Sequence, residues 1–131
     1  MNVVSNCAAA LCNLGFAVGA QGDSARAEAL LRESLDIYRE LQNHLGIAEC
    51  LVGRAQVSTT QGQPEAAARL LALAEMVHRS LPWPPSDRAE YERTVTSVRS
   101  LLGDEAFARA WTEGRTITPE QAVEYALKED K

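Results

Sequence analysis

Apolar residues recur at every third or fourth position along most of the chain, which is the spacing of one face of an α-helix. The first run of this kind consists of Val4, Cys7, Ala8, Leu11, Gly15 and Val18. No stretch alternates apolar and polar residues for long, so the pattern expected of a β-strand is missing. The pattern therefore predicts an all-α fold.

Turn and capping residues separate the predicted helices. Gly22 can adopt a positive φ and end the first helix, and Asp23 or Ser24 can cap the second. Gly62 ends the third helix, which begins near Leu45, and Pro64 suits the first turn of the fourth. Residues 3–62 thus contain two predicted helix–turn junctions of the same kind.

These junctions belong to an internal repeat with an offset of 40 residues. The stretch LCNLGFAVGAQG at 11–22 aligns with LVGRAQVSTTQG at 51–62. Further along, Ala27 aligns with Ala67 and Leu31 with Leu71. The repeat predicts two helical hairpins over residues 3–81. Gly15 and Ala27 are the small residues expected where the two helices of the first hairpin cross.

A proline-rich segment, LPWPPSD at 81–87, interrupts the repeat, because three prolines in so short a span cannot continue a helix. Trp83 is expected to anchor this corner to apolar surface. Ser86 or Asp87 is expected to open the next helix, with Glu90 completing a capping box from Asp87. Residues 82–131 are therefore predicted to form the corner and a C-terminal cap within a single domain, 1–131.

The cap is predicted to contain three helices, which makes seven in the whole chain. Gly103 ends the first of the three, and Asp104 is expected to cap a short second one that Gly114 ends. The last begins at Thr118, with proline in its first helical position. Phe107 and Trp111 fall on one face of the short helix and are expected to pack in the cap. The alternative is an aromatic anchor for a partner.

The repeated hairpins resemble tetratricopeptide (TPR) repeats. The resemblance rests on a small residue midway along each first helix, a glycine at each turn and a small residue early in each second helix: Gly15 and Ala55, Gly22 and Gly62, Ala27 and Ala67. The period of 40 is longer than the family's usual 34, and Arg54 stands where an apolar residue is usual. The resemblance implies an α-α superhelix.

The C-terminal part is similar to the end of the TPR region in large bacterial regulators that join a signal-transduction NTPase module to a helical-repeat sensor. Some of those regulators also carry a LuxR-type DNA-binding domain. The residues that carry this similarity are RAEYER at 88–93, LGDEAFARAWTEGR at 102–115 and TPEQAVEYAL at 118–127. It implies a sensor and protein-interaction segment, since neither a nucleotide-binding loop nor a LuxR-type helix-turn-helix occurs in this sequence.

Composition and charge narrow the classes of function that the chain can have. The chain has 131 residues, 46% of them hydrophobic, which is enough for one domain with a real core. Its net charge of −5 comes with no basic patch, so no direct contact with nucleic acid is expected. No apolar run is long enough to span a membrane. With no signal peptide and no paired cysteine spacing, the expected compartment is the cytoplasm.

No constellation of catalytic or metal-ligating residues stands out, so no enzyme activity, cofactor or metal is expected. Acidic residues lie among arginines at helical spacing, which is typical of a solvated helix face. The three cysteines, Cys7, Cys12 and Cys50, fall in apolar helical patterns and are expected to be buried. His44 and His78 are far apart, which makes a zinc site improbable.

A stack of TPR hairpins has a concave surface built mainly from the first helix of each hairpin. The family resemblance places five side chains on that surface: Asn13, Phe16, Glu49, Gln56 and Thr59. They predict a groove for a protein or peptide partner, and the alternative is that they simply face solvent. A second hypothesis is a small-molecule sensor that holds an effector between the stack and the cap.

The predicted first helix begins with apolar residues and has no capping helix before it. Solenoids need polar terminal caps. Either further repeats precede this segment in the natural protein, or this end pairs with another copy. The chain is therefore expected to self-associate.

Overall fold

The computed structural model describes residues 3–77, 84–115 and 121. Six helices cover most of them: α1 Val3–Ala20, α2 Ser24–Leu41, α3 His44–Thr60, α4 Pro64–Val77, α5 Pro85–Leu102 and α6 Asp104–Gly114. The all-α prediction is confirmed. Trp83 and nearly all of the predicted seventh helix lie outside the described residues, so neither prediction is tested.

The helix junctions follow from the capping residues. Gly22 has φ +94° and Gly62 has φ +78°, the left-handed conformation that glycine tolerates best. The Asp23 side chain accepts the Arg26 backbone N–H at 3.2 Å, and the Asn43 side chain accepts that of Gly46 at 3.0 Å. Each carboxylate or amide oxygen satisfies a donor that the helix start leaves unpaired. The expected start of α2 is confirmed, and Asn43 is a cap that the sequence reading did not assign.

Small residues let the helices approach one another around Leu31, which is fully buried. A Cβ atom added to Gly15 would lie 2.8 Å from Leu31 Cγ, and one added to Gly53 would lie 2.9 Å from Leu31 Cδ2. Leu31 of α2 thus fills the space that two glycines, one on α1 and one on α3, leave open. The predicted crossing at Gly15 is confirmed, and the same side chain also joins the two hairpins.

The hairpins stack in chain order. Helix α3 lies against both α1 and α2, and α5 lies in the corresponding way against α3 and α4. Helix α6 packs on α4, where a Cβ at Gly114 would come within 2.7 Å of the Arg69 carbonyl oxygen. Phe107 is buried in the core, with its ring centroid 5.3 Å from that of Trp111, which is half-buried against the same core. The expectation that this pair packs in the cap is confirmed, fully for Phe107 and in part for Trp111.

Three local predictions were wrong. Helix α5 begins at Pro85 with Pro84 as its cap and no side-chain capping bond, so Asp87 and Glu90 form no capping box. The cap of α6 is Gly103, and Asp104 is already inside the helix, because the positive φ of the glycine makes the sharp corner. Cys12 and Cys50 are buried as expected, but Cys7 is exposed, because the buried face of α1 runs through Ala8, Cys12 and Val18 instead.

Candidate functional site

Helices α1, α3 and α5 together line one cleft of about 260 Å³. Its lining residues are Cys12, Asn13 and Phe16 from α1, Glu49 and Val52 from α3, and Asp87 and Glu90 from α5. Phe16 is half-buried and Asn13 is exposed, so an apolar ring and a free-standing amide face the same space. The cleft therefore combines apolar surface with groups that form hydrogen bonds and carry charge.

The structure divides the five residues predicted to line a groove into two sets. Asn13, Phe16 and Glu49 lie in this first cleft. Gln56 and Thr59 lie in a second cleft of about 240 Å³, which α5 borders with Arg93, Thr94 and Ser97. The two clefts follow the same side of α3, one near each end of that helix.

The Gln56 side chain is committed to holding α5 in place. Its Nε2 atom donates to Glu90 Oε2 and, at 3.1 Å, to Thr94 Oγ1. The Thr94 hydroxyl in turn donates to the Glu90 carbonyl oxygen at 2.8 Å. Thr59 donates its hydroxyl to the Ala55 carbonyl at 2.9 Å, within its own helix. Gln56 and Thr59 are thus less available to a ligand than Asn13 and Phe16.

Glu49 is the acidic side chain of the cleft whose pKa is clearly raised. Burial raises the pKa of the Glu49 carboxyl to about 8, and a hydrogen bond to Asp87 and repulsion by its charge act in the same direction. Near neutral pH the Glu49 carboxyl is therefore protonated and can donate to Asp87. The two acidic groups then carry one negative charge between them, at the junction of α3 and α5.

The floor of the cleft is a small buried network of sulfur and hydroxyl groups. The Cys50 thiol donates to Ser34 Oγ at 3.3 Å, and the Ser34 hydroxyl donates to the Ala8 carbonyl at 2.7 Å. A hydrogen bond with Cys50, together with burial, raises the pKa of the Cys12 thiol far above its usual range. Since the thiolate is the reactive form, Cys12 is a structural residue rather than a nucleophile.

The profile of the tetratricopeptide repeat family matches residues 6–75, which is more than half of the chain. The chain belongs to the tetratricopeptide repeat family. The matched TPR segment comprises nearly all of α1 to α4. No solved structure is significantly similar to the chain.

The TPR chain is also similar to part of candidate HTH-type transcriptional regulators from Mycobacterium bovis and from two strains of Mycobacterium tuberculosis. Each is 30% identical to it over 109 residues, which is 81% of this chain. The chain spans only 12% of the length of these relatives. It thus corresponds to a TPR-like region of bacterial regulators.

Four lining residues of the first cleft were missed by sequence reasoning: Cys12, Val52, Asp87 and Glu90. The two on α5 were missed because residues 82–131 were interpreted as a corner and a cap. That interpretation did not place α5 beside α3 in the way that α3 lies beside α1. A signal was present, since Asp87, Glu90 and Thr94 recur at spacings of three and four on one face of a helix. Cys12 was assigned to the core, and it is buried while also lining the cleft.

The described part of the chain shows neither a metal-binding cluster nor a membrane span. Among the described residues, no group of three or more histidine, cysteine or acidic side chains is arranged to hold a metal ion. Within the same ranges, none of the helices has the length and apolar character needed to cross a membrane.

Proposed function

We propose that this TPR segment is a non-catalytic interaction module of a bacterial transcriptional regulator, acting in the cytoplasm. In this proposal, a segment of a partner protein lies along the cleft formed by α1, α3 and α5. The observation that supports it best is that Asn13, Phe16 and Glu49, from two different hairpins, line one cleft. The similarity to HTH-type regulators supports the regulatory context.

The lining favours a peptide with an apolar and a basic side chain. Phe16 is half-buried, and Val52 beside it is buried, so an apolar side chain of a partner gains by leaving water there. The Glu49–Asp87 pair adds negative charge, and so does Glu90, although Arg93 already pairs with Glu90 at 2.8 Å. A lysine or arginine beside the Glu49–Asp87 pair would be attracted without having to displace Arg93.

The cleft suits a chain better than a compact ligand. Its volume of about 260 Å³ is slightly below the range usual for small-molecule pockets. The second cleft continues along α3, so an extended segment would contact both. The sensor hypothesis predicts instead an effector that is enclosed by protein. Among the described residues, neither cleft is enclosed, and both are partly open to solvent.

The test is selection of random peptides of about 12 residues displayed on phage, followed by calorimetric measurement of the affinity of each selected peptide. Twelve extended residues reach about 40 Å, enough to follow both clefts. We expect selected sequences to be rich in lysine or arginine beside an apolar residue. The variant Phe16→Ala should weaken binding about three- to tenfold, because a peptide covers only the exposed part of this half-buried ring and so gains a fraction of the about 1.5–3 kcal/mol for burying a whole phenylalanine.

The matched control is Leu101→Ala, because Leu101 is an exposed large apolar residue that lines neither cleft. It should leave the affinity unchanged. Peptides that bind the parent chain and the Phe16→Ala variant equally well would remove the groove proposal. A small molecule that raises the melting temperature and competes with no peptide would instead support the sensor hypothesis.

A further inference from the structure

Helix α1 carries an exposed apolar stripe that no other described element covers. Its members are Val3, Cys7, Ala10, Leu14 and Ala17. Val3 is 75% exposed and Leu14 is 43% exposed. The spacing alternates between four and three residues, which is the seam pattern of two helices that pack side by side. The stripe is separate from the cleft proposed to bind a peptide.

The internal repeat places an equivalent of this stripe on α3, where its packing can be seen. With the offset of 40, Cys7, Ala10 and Ala17 correspond to Ile47, Cys50 and Val57 on α3. All three residues of α3 are buried. Cys50 reaches Ser34 of α2, and Val57 lies within 3.7 Å of a Cβ placed on Gly19 of α1. In the second hairpin this face therefore packs against helices of the neighbouring hairpin.

We propose that the α1 stripe pairs with the same stripe of a second copy of this chain, with the two α1 helices antiparallel and the two-fold axis at Ala10. A two-fold contact requires the surface to be complementary to itself. In this register Ala10 meets Ala10 of the other copy, Leu14 meets Cys7, and Val3 meets Ala17. Each large side chain thus faces a small one, and the alanine pair lets the helices approach closely.

Charge also favours this partner. The chain has a net charge of −5, so two copies repel each other at most orientations. No charged residue occurs between positions 1 and 22, so α1 carries no charged side chain along its whole length. Antiparallel pairing also places the opposite ends of the two helix dipoles side by side, which is the favourable arrangement.

The area that two paired α1 helices can bury sets the expected strength of the dimer. A helix of 18 residues is about 27 Å long. One pair of such helices buries much less than the roughly 800 Å² per partner that is usual in stable complexes. The dimer should therefore be weak, with a dissociation constant on the order of 100 μM.

The first experiment is sedimentation equilibrium of the whole chain at concentrations from about 10 μM to about 1 mM, a range that brackets the expected constant. The average mass should rise from 14.2 kDa towards twice that value. Leu14→Glu should weaken the dimer at least tenfold, while Leu101→Glu, which places the same charge on an exposed leucine of α5, should not. A mass of one chain at every concentration would overturn the proposal, and the stripe would then suit a further hairpin of a longer chain.

The second experiment tests the register by disulfide formation between copies. In a Cys7→Ser background the remaining cysteines, Cys12 and Cys50, are buried. Adding Ala10→Cys should give a cross-linked dimer on mild oxidation by oxidised glutathione, because the two positions meet at the axis. Adding Val3→Cys instead should not, since the two copies of residue 3 would lie about 21 Å apart along the helices. Efficient cross-linking at both positions would indicate parallel pairing, because each residue then meets its own copy, and an absence of cross-linking at position 10 would refute the proposed register.

Discussion

Replacement of Gly46 by alanine tests the close contact between the two hairpins. Gly46 lies in the first turn of α3, and a Cβ atom there would come within 2.4–2.5 Å of three atoms of the Tyr38 ring. Tyr38 is buried at the end of α2, so its ring cannot turn freely into solvent. The added methyl group therefore has to push the ring and the residues packed behind it.

The magnitude follows from two opposing effects. Alanine favours a helix over glycine by up to about 1 kcal/mol. Against this, an atom inserted into a filled core costs about 1–3 kcal/mol. The upper end applies here, because the ring must move by about 1 Å to restore ordinary carbon–carbon separation. Gly46→Ala should therefore lower the free energy of unfolding by about 2 kcal/mol, and the melting temperature by roughly 8 °C.

The assay is urea and thermal unfolding of Gly46→Ala, Tyr38→Ala and the double variant. Once the ring is gone, the methyl group has space, so Gly46→Ala should become neutral or stabilise Tyr38→Ala by up to about 1 kcal/mol. The reversal of sign identifies the ring contact as the cause. The reasoning is refuted if Gly46→Ala is as stable as the parent chain, or if it destabilises both backgrounds equally.

Three further changes test the caps, the cleft and the buried network. Asn43→Ala should cost about 1 kcal/mol of stability in urea unfolding, and Asn43→Asp should restore most of it, because either side chain can cap α3. The pKa of the Glu49 carboxyl is about 8 in the folded state and 4.5 in the unfolded state, so the folded state keeps the proton to higher pH. The free energy of unfolding should therefore fall by about 1–2 kcal/mol as the pH rises from 4.5 to 8. Glu49→Gln should flatten this dependence of stability on pH. Ser34→Ala should cost about 1 kcal/mol, since Cys50 and the Ala8 carbonyl both lose a partner; an unchanged urea midpoint would show that the network adds nothing.

The repeat itself could be predicted from the sequence because the residues that define it act locally. The positive φ at Gly22 and Gly62 favours glycine, and the spacing of apolar residues in α1 to α4 marks the faces that become buried. Gly15 could be assigned to a helix crossing because it aligns with a small residue one repeat later. Such signals depend only on the residue and its near neighbours.

The cleft could be predicted only in part because its lining depends on where α5 lies. Asn13, Phe16 and Glu49 could be placed by analogy with the repeat, but no repeat equivalent pointed to Asp87 or Glu90. Contacts such as Gln56 with Thr94 join residues far apart in sequence, and no spacing rule predicts them. Cys7 was misassigned for a related reason, since α1 is apolar on several faces and only packing decides which face is covered.

The most direct test of the peptide-binding account is titration of a selected peptide into the isotope-labelled chain, followed by nuclear magnetic resonance. The account predicts that the largest backbone shift changes occur at Asn13, Phe16 and Glu49, with smaller ones near Gln56 and on the first turns of α5. Shift changes confined to α2, α4 and α6, with none along the cleft, would contradict it.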